Sequence, residues 1–228
     1  MVDTPGEKKE APKSGAMGFT VERVNAFSDG VFAIAITLLV LSIAVPAFRG
    51  SVTESKLAHG LAELWPHFFA YILSFLIIAM FWLSHHLLFT AIQRVDKPVL
   101  WLNIFYLLLI CFIPYPTNLL ALFGETTVST VLYASVMAGA ALLQGLMGLY
   151  ATRGHRLVDD EFDLRRAAEF ERNSFLMSAV FIISIGISFV SAAAAQFSWI
   201  LLFLIPLLER LVFRRKAGKT NGATPEAA

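Results

Sequence analysis

Six side chains in this sequence sit where a bilayer would resist them. Arg23, Ser28 and Asp29 lie at and just before the apolar run "GVFAIAITLLVL". His85 and His86 interrupt "FWLSHHLLF", and Asn103 interrupts "WLNIFYLLL". Such a set can hold a metal, supply a nucleophile and base, pass protons, or tie helices together. Adjacent histidines point about 100° apart on a helix, so His85 and His86 do not share a two-ligand face. No Cys or carboxylate stands beside them at ligand spacing, and no metal or other cofactor is expected. No nucleophile–base pair lies within the apolar runs, so no catalytic residue is assigned and an enzyme is not expected.

Proton passage and helix anchoring remain. An ionisable group within the hydrocarbon costs roughly 2.5–3.5 kcal/mol at mid-membrane and less near the interface, so it faces protein and finds partners. Arg23 and Asp29 are six residues apart, about 120° around a helix, too far round to pair with each other. Their partners must come from other spans at the same depth. His85, His86 and Asn103 meet that condition, which predicts a polar network of Arg23, Ser28, Asp29, His85, His86 and Asn103 near one face of the membrane. "FSDG" also reads as a turn capping a helix that starts at Val31. That helix would run only to Val45, about 22 Å against a hydrocarbon core of about 30 Å. The helix is therefore expected from Val21.

The composition requires a membrane. The chain has 228 residues, of which 57% are hydrophobic and 15% charged, and its mean hydropathy is +0.68. Soluble domains run nearer half apolar and a quarter charged. The net charge of +1 gives no field for nucleic acid. The single cysteine, Cys111, reads as a small buried hydrophobe. Residues 1–19 lack a signal-peptide apolar core and, like 214–228, read as disordered cytoplasmic tails. The region 20–213 reads as one all-α, polytopic domain of six transmembrane helices. Expected spans are Val21–Val45; Leu64–Phe89; the segment after "VDKP", with Asp96 as cap and Pro98 in the first turn, to Phe112 and raggedly on through "IPYPT"; Val128–Tyr150; Ser174–Ala195; and Ser198–Val212. Pro114 and Pro116 predict a bend. The stretch "HRLVDDEFDLRRAAEFERN" reads as a solvated extension of the fifth span. Sixteen of the eighteen Lys and Arg fall on the side of the two termini, and only Arg49 and Lys56 on the other. The positive-inside rule then makes both termini cytoplasmic.

Along the first span, Ile34, Leu38, Leu41 and Val45 recur at i, i+4, i+7 and i+11, a stripe of branched aliphatics with Thr37 beside it. Periodicity alone makes this a face for lipid or for another helix. "GAALLQGLMG" in the fourth span and Ser184, Ser188 and Ala192 in the fifth are small-residue seams that allow close helix approach.

Arg23-x-x-x-Phe27-Ser28-Asp29 at the start of span one resembles the motif of the transmembrane protein 175 family, the endolysosomal potassium channels of animals and their bacterial relatives. The stretch Phe81–Leu120 is similar to that family's second and third helices. A single six-helix unit resembles the bacterial branch, which implies a multi-pass protein of the bacterial plasma membrane. The resemblance implies four copies around a central pore that conducts K+. The Thr-Val-Gly-Tyr-Gly filter of other potassium channels is absent from the family and from this sequence. By distance from the motif aspartate, Ile34, Leu38 and Leu41 would form the constriction, with Thr37 and Val45 also lining the pore. Arg23, Ser28 and Asp29 would face away from it. The competing reading is a proton-coupled or other secondary transporter using Asp29 and His85/His86.

Overall fold

The computed structural model describes residues 20–48, 50–159 and 164–203. Among them there is no β-strand. Eight α-helices follow in order: α1 (Val21–Leu38), α2 (Glu54–Glu63), α3 (Trp65–Ala91), α4 (Lys97–Phe112), α5 (Pro114–Phe123), α6 (Thr127–Thr152), α7 (Leu164–Ser188) and α8 (Ala192–Ser198). Five stretches are long and apolar enough to cross a membrane: Val21–Ser42, Trp65–Ala91, Lys97–Phe123, Thr127–His155 and Ala168–Ser188. A shorter apolar helical stretch, Ala192–Phe203, follows. The tails 1–19 and 214–228, most of the expected sixth span and part of the α6–α7 loop (160–163) lie outside the described residues.

Local chemistry sets the helix ends. The Thr20 hydroxyl accepts from the Arg23 amide, the Asp96 carboxylate from Val99 and the Thr126 hydroxyl from Ser129, each satisfying an amide that has no carbonyl partner within its helix. Ser28, Asp29 and Gly30 lie inside α1, not in a turn before it. The α-helix stops at Leu38, and the 3-10 turn Leu39–Ser42 hands over to extended backbone at Ile43. The first span is thus three residues shorter than periodicity suggested.

At Pro114 the chain loses an N–H, and the Ile113 amide, which bonds Leu109, also bonds the Ile110 carbonyl left without its proline donor, at 3.2 Å each. Helical geometry persists at Ile113, so α4 and α5 form one interrupted span reaching Phe123, well past Phe112. The fifth and sixth spans divide elsewhere than expected. The helix α7 ends at Ser188, and Ser191 caps α8 by accepting from the Ala194 amide at 3.2 Å. The expected limits of Ala195 and Ser198 are too late, because a capping serine reads in sequence as one more small residue of a seam. Cys111 is exposed, not buried. The helix α4 packs through Val99, Asn103, Tyr106, Leu107 and Ile110, and Cys111 falls outside that stripe.

The most buried element is α6. Gly145 and Gly148 let α7 close on it. A methyl group at Gly148 would lie 2.7 Å from Cε1 of Phe170, and one at Gly145 would lie 3.0 Å from Cε1 of Phe175. The small-residue seam is therefore a packing surface of the kind that drives helix association in lipid. At the end of the bundle near Ala91 and Thr152, two loops are clasped together. Ile92 and Val158 form an isolated antiparallel bridge. The Gln93 amide donates to Leu157 O at 2.8 Å, and the Arg94 guanidinium donates twice to Arg156 O at 3.0 and 2.7 Å. Tyr150 donates to Asp96 Oδ2 at 2.6 Å, while the Arg156 guanidinium lies 4.7 Å over its ring.

Candidate functional site

Two faces of α1 define the site. Val24, Ser28, Phe32, Ala35 and, in the 3-10 turn, Leu39 and Ser42 recur at three- and four-residue spacing and are buried, so this stripe packs on the bundle. Ser28 is fully enclosed there and donates to the Val24 carbonyl at 2.9 Å, a local bond that leaves its oxygen free to accept. Asn103 of α4 donates through Nδ2 to that oxygen at 3.1 Å. Its Oδ1 therefore faces His85 Nε2 of α3, 2.9 Å away. An amide oxygen only accepts, so His85 must carry its proton on Nε2. A one-way chain of donors results: His85 to Asn103, Asn103 to Ser28, Ser28 to the Val24 carbonyl. Among the described residues, His85 Nδ1 is buried without a partner. The imidazole is packed among Phe32, Phe89 and Tyr106, parallel to the Tyr106 ring within 1°.

Asp29, half-buried beside Ser28, takes a different partner. Trp82 Nε1 donates to Asp29 Oδ1 at 2.8 Å. Trp82 was not foreseen, because a tryptophan in an apolar span reads as packing. The usable signal is that an indole N–H must find an acceptor when buried, and Asp29 lies at the same depth. His86 stacks on Trp82, ring centroids 5.8 Å apart, and its Nδ1 is buried without a partner. It does not reach Ser28 or Asn103.

Arg23 departs furthest from the expected network. Its side chain is exposed, and its guanidinium has no hydrogen-bond or ion-pair partner among the described residues; only its amide bonds, to Thr20. The reason is phase. Arg23 and Ile34 are eleven residues apart, which places them about 20° from each other around α1. The motif arginine thus shares the side of the apolar stripe and not that of Ser28 and Asp29.

The exposed face carries Phe27, Ile34 (59%), Leu38 (42%) and Leu41 (76%). Thr37 is on this side too, its hydroxyl turned back to donate to Ile34 O at 2.9 Å. Leu41 belongs to the 3-10 turn, where residues three apart eclipse, so it stands over Leu38. Val45 is exposed but lies in irregular chain past the 3-10 turn. It does not continue the helical stripe that its spacing suggested. Among the described residues, no group of three or more His, Cys, Asp or Glu side chains is placed to hold a metal ion.

An all-helical, multi-pass membrane protein whose first helix is pinned by polar bonds on one side and left bare and apolar on the other is what fold and site define. Known proteins share both. The signature of the family described as "Endosomal/lysosomal potassium channel TMEM175" matches residues 23–114. A protein of Streptomyces collinus named as a potassium channel is 38% identical over 174 residues, 75% of this chain and 83% of that one. The crystal structure of a lysosomal potassium-selective channel TMEM175 homolog from Chamaesiphon minutus superposes with a TM-score of 0.71 at 29% identity, covering 82% of this chain and 96% of that chain. The chain belongs to the TMEM175 family. It also matches a zebrafish protein named as an endosomal/lysosomal proton channel at 25% identity, spanning 43% of that longer protein. These relatives are named as ion channels, not enzymes.

Proposed function

We propose that this chain is one subunit of a passive potassium-permeable channel of the bacterial plasma membrane, with both termini cytoplasmic. Its neck is formed by α1 of four copies, with Ile34, Leu38 and Leu41 as rings of apolar side chains. The carrying observation is the division of α1 into a buried, hydrogen-bonded face and an exposed aliphatic face. An exposed row on one helix cannot enclose a pathway, whereas the same row repeated around an axis can. Apolar rings gate by dewetting, and a narrow one discriminates by making cations shed water. Potassium holds its hydration shell less tightly than sodium, so such a neck favours K+ without a Thr-Val-Gly-Tyr-Gly filter. The names carried by the Streptomyces and Chamaesiphon relatives support K+ as the permeant ion.

The zebrafish relative is named as a proton channel, which raises proton passage as an alternative. The donor chain argues against a relay through His85. It ends on the Val24 carbonyl, which cannot pass a proton on, and Nδ1 has no donor or acceptor to reload it. The test is planar-bilayer recording of the purified protein in asymmetric KCl and NaCl. Ile34→Asn should wet the neck, raising conductance and weakening K+ over Na+ preference. Unchanged values of both would refute the assignment of the neck. A flux coupled to a second ion would refute the channel reading itself.

A further inference from the structure

The helix α2 has three faces, and only one of them is occupied by the bundle. The Thr53 hydroxyl caps it by accepting from the Lys56 amide. Gly60 packs on the chain leaving α1: a methyl there would sit 2.8 Å from Cζ of Phe48. Leu57 and Leu61, about 40° apart, are exposed. His59 and Glu63, paired at 3.2 Å and both well exposed, point about 160° away from Leu61, with Lys56 about 140° away. Glu54, in the first turn, lies about 20° from Leu61 and is the one carboxylate within the leucine sector.

The leucine sector runs on into Trp65, the exposed first residue of α3. Trp65, Ile72, Leu76 and Leu83 are all exposed and recur at seven and four residues, one apolar row down α3. At 27 residues α3 is about 40 Å long against a hydrocarbon core of about 30 Å. That length leaves room for its first turn to stand at the membrane boundary, where tryptophan concentrates. The α2 stripe adjoins this exposed apolar row of a membrane-spanning helix. A short helix with leucines on one side and most of its charges opposite is the pattern of a helix lying in the interface plane.

We propose that α2 is an interfacial anchor, lying on the membrane surface opposite the Ser28–Asp29 end of α1, with Leu57, Leu61 and Trp65 sunk among the upper acyl chains. Lys56, His59 and Glu63 face water. The occupant of the exposed stripe is lipid.

The full chain carrying Cys111→Ser is given one cysteine at a time by Leu57→Cys, Leu61→Cys or His59→Cys, each labelled with an environment-sensitive fluorophore. Labelled proteins are placed in phosphatidylcholine–phosphatidylglycerol vesicles containing a lipid spin-labelled near the head of its acyl chain. Quenching by that lipid is compared with quenching by aqueous iodide. Positions 57 and 61 should be quenched several-fold more by the lipid than position 59, and position 59 more by iodide. Iodide quenching at 57 and 61 equal to that at 59 would overturn the proposal. Protection of 57 and 61 from both quenchers would also overturn it, in favour of a second copy covering the stripe. A label-free readout uses brominated lipid: Trp65→Phe should remove a large share of the quenchable tryptophan emission, and no loss would count against the anchor. Neither readout depends on ion conduction, so the channel reading stands or falls separately.

Discussion

The bond between His85 and Asn103 makes a prediction that can be worked through. Asn103→Ala removes the acceptor of His85 Nε2–H and the donor to Ser28. His85 is fully buried, and its other nitrogen already lacks a partner, so the change leaves both ring nitrogens unsatisfied. An orphaned buried donor costs about 1–3 kcal/mol. The lost Asn103–Ser28 bond adds about 0.6 kcal/mol, the average for side-chain bonds between membrane helices. Ser28 keeps its own donor satisfied on Val24 O. His85→Phe leaves the Asn103 Oδ1 acceptor unpaired, again at about 1 kcal/mol or more, while a phenyl ring suits the Phe32–Phe89–Tyr106 surround. In the double variant neither partner is left stranded. Its cost should fall short of the sum of the two single costs by the two stranding penalties, about 2 kcal/mol or more. Reversible unfolding in mixed detergent micelles, titrated with SDS, reads all four corners of the cycle. Additivity within about 0.5 kcal/mol, the behaviour of uncoupled sites, would show that the two side chains do not bond and would undo the donor chain described above.

Other outcomes follow from single contacts. Gly148→Ala drives a methyl into Phe170 and should cost about 1–3 kcal/mol, the usual range for overpacking, whereas Gly186→Ala, with open space at its Cβ position, should leave stability unchanged or slightly raised in the same assay. Trp82→Phe deprives Asp29 of its donor at a half-buried site and should cost about 1 kcal/mol; Asp29→Asn, which still accepts, should cost less. Arg94→Gln shortens the side chain and weakens the exposed clasp on Arg156 O. It should cost well under 1 kcal/mol by unfolding, yet speed amide exchange at Gln93, whose N–H bonds Leu157.

The legible parts of this fold were those with local grammar. Asp96 before a proline-started helix, Thr126 before a long apolar run, and a charge-poor 27-residue stretch in α3 each declare themselves within a few residues. Ser28, His85 and Asn103 were legible through depth, because counting residues from each membrane boundary places them on one level. Trp82 escaped because its apolar bulk hides its single donor. The orientation of Arg23 was available from helical phase, but grouping it with Ser28 and Asp29 as a motif obscured that an eleven-residue separation nearly restores the angle. The 3-10 ending of α1, the cap at Ser191 and the whole of α2 depend on how the chain turns back over its neighbours. Hydropathy does not encode that.

The clasp between the loops at Ile92–Arg94 and Arg156–Val158 bears on how such a protein could move. It buttons the α3–α4 and α6–α7 hairpins into one block at the end where α1 is also pinned through Ser28 and Asp29. At the other end α1 loses its helix after Ser42, with Leu39 and Ser42 still packed on the bundle, and continues as a strap toward α2. On the reading proposed above, a change in the bore around Leu38 and Leu41 would come from movement of α1 about its pinned foot, with the strap as its tether.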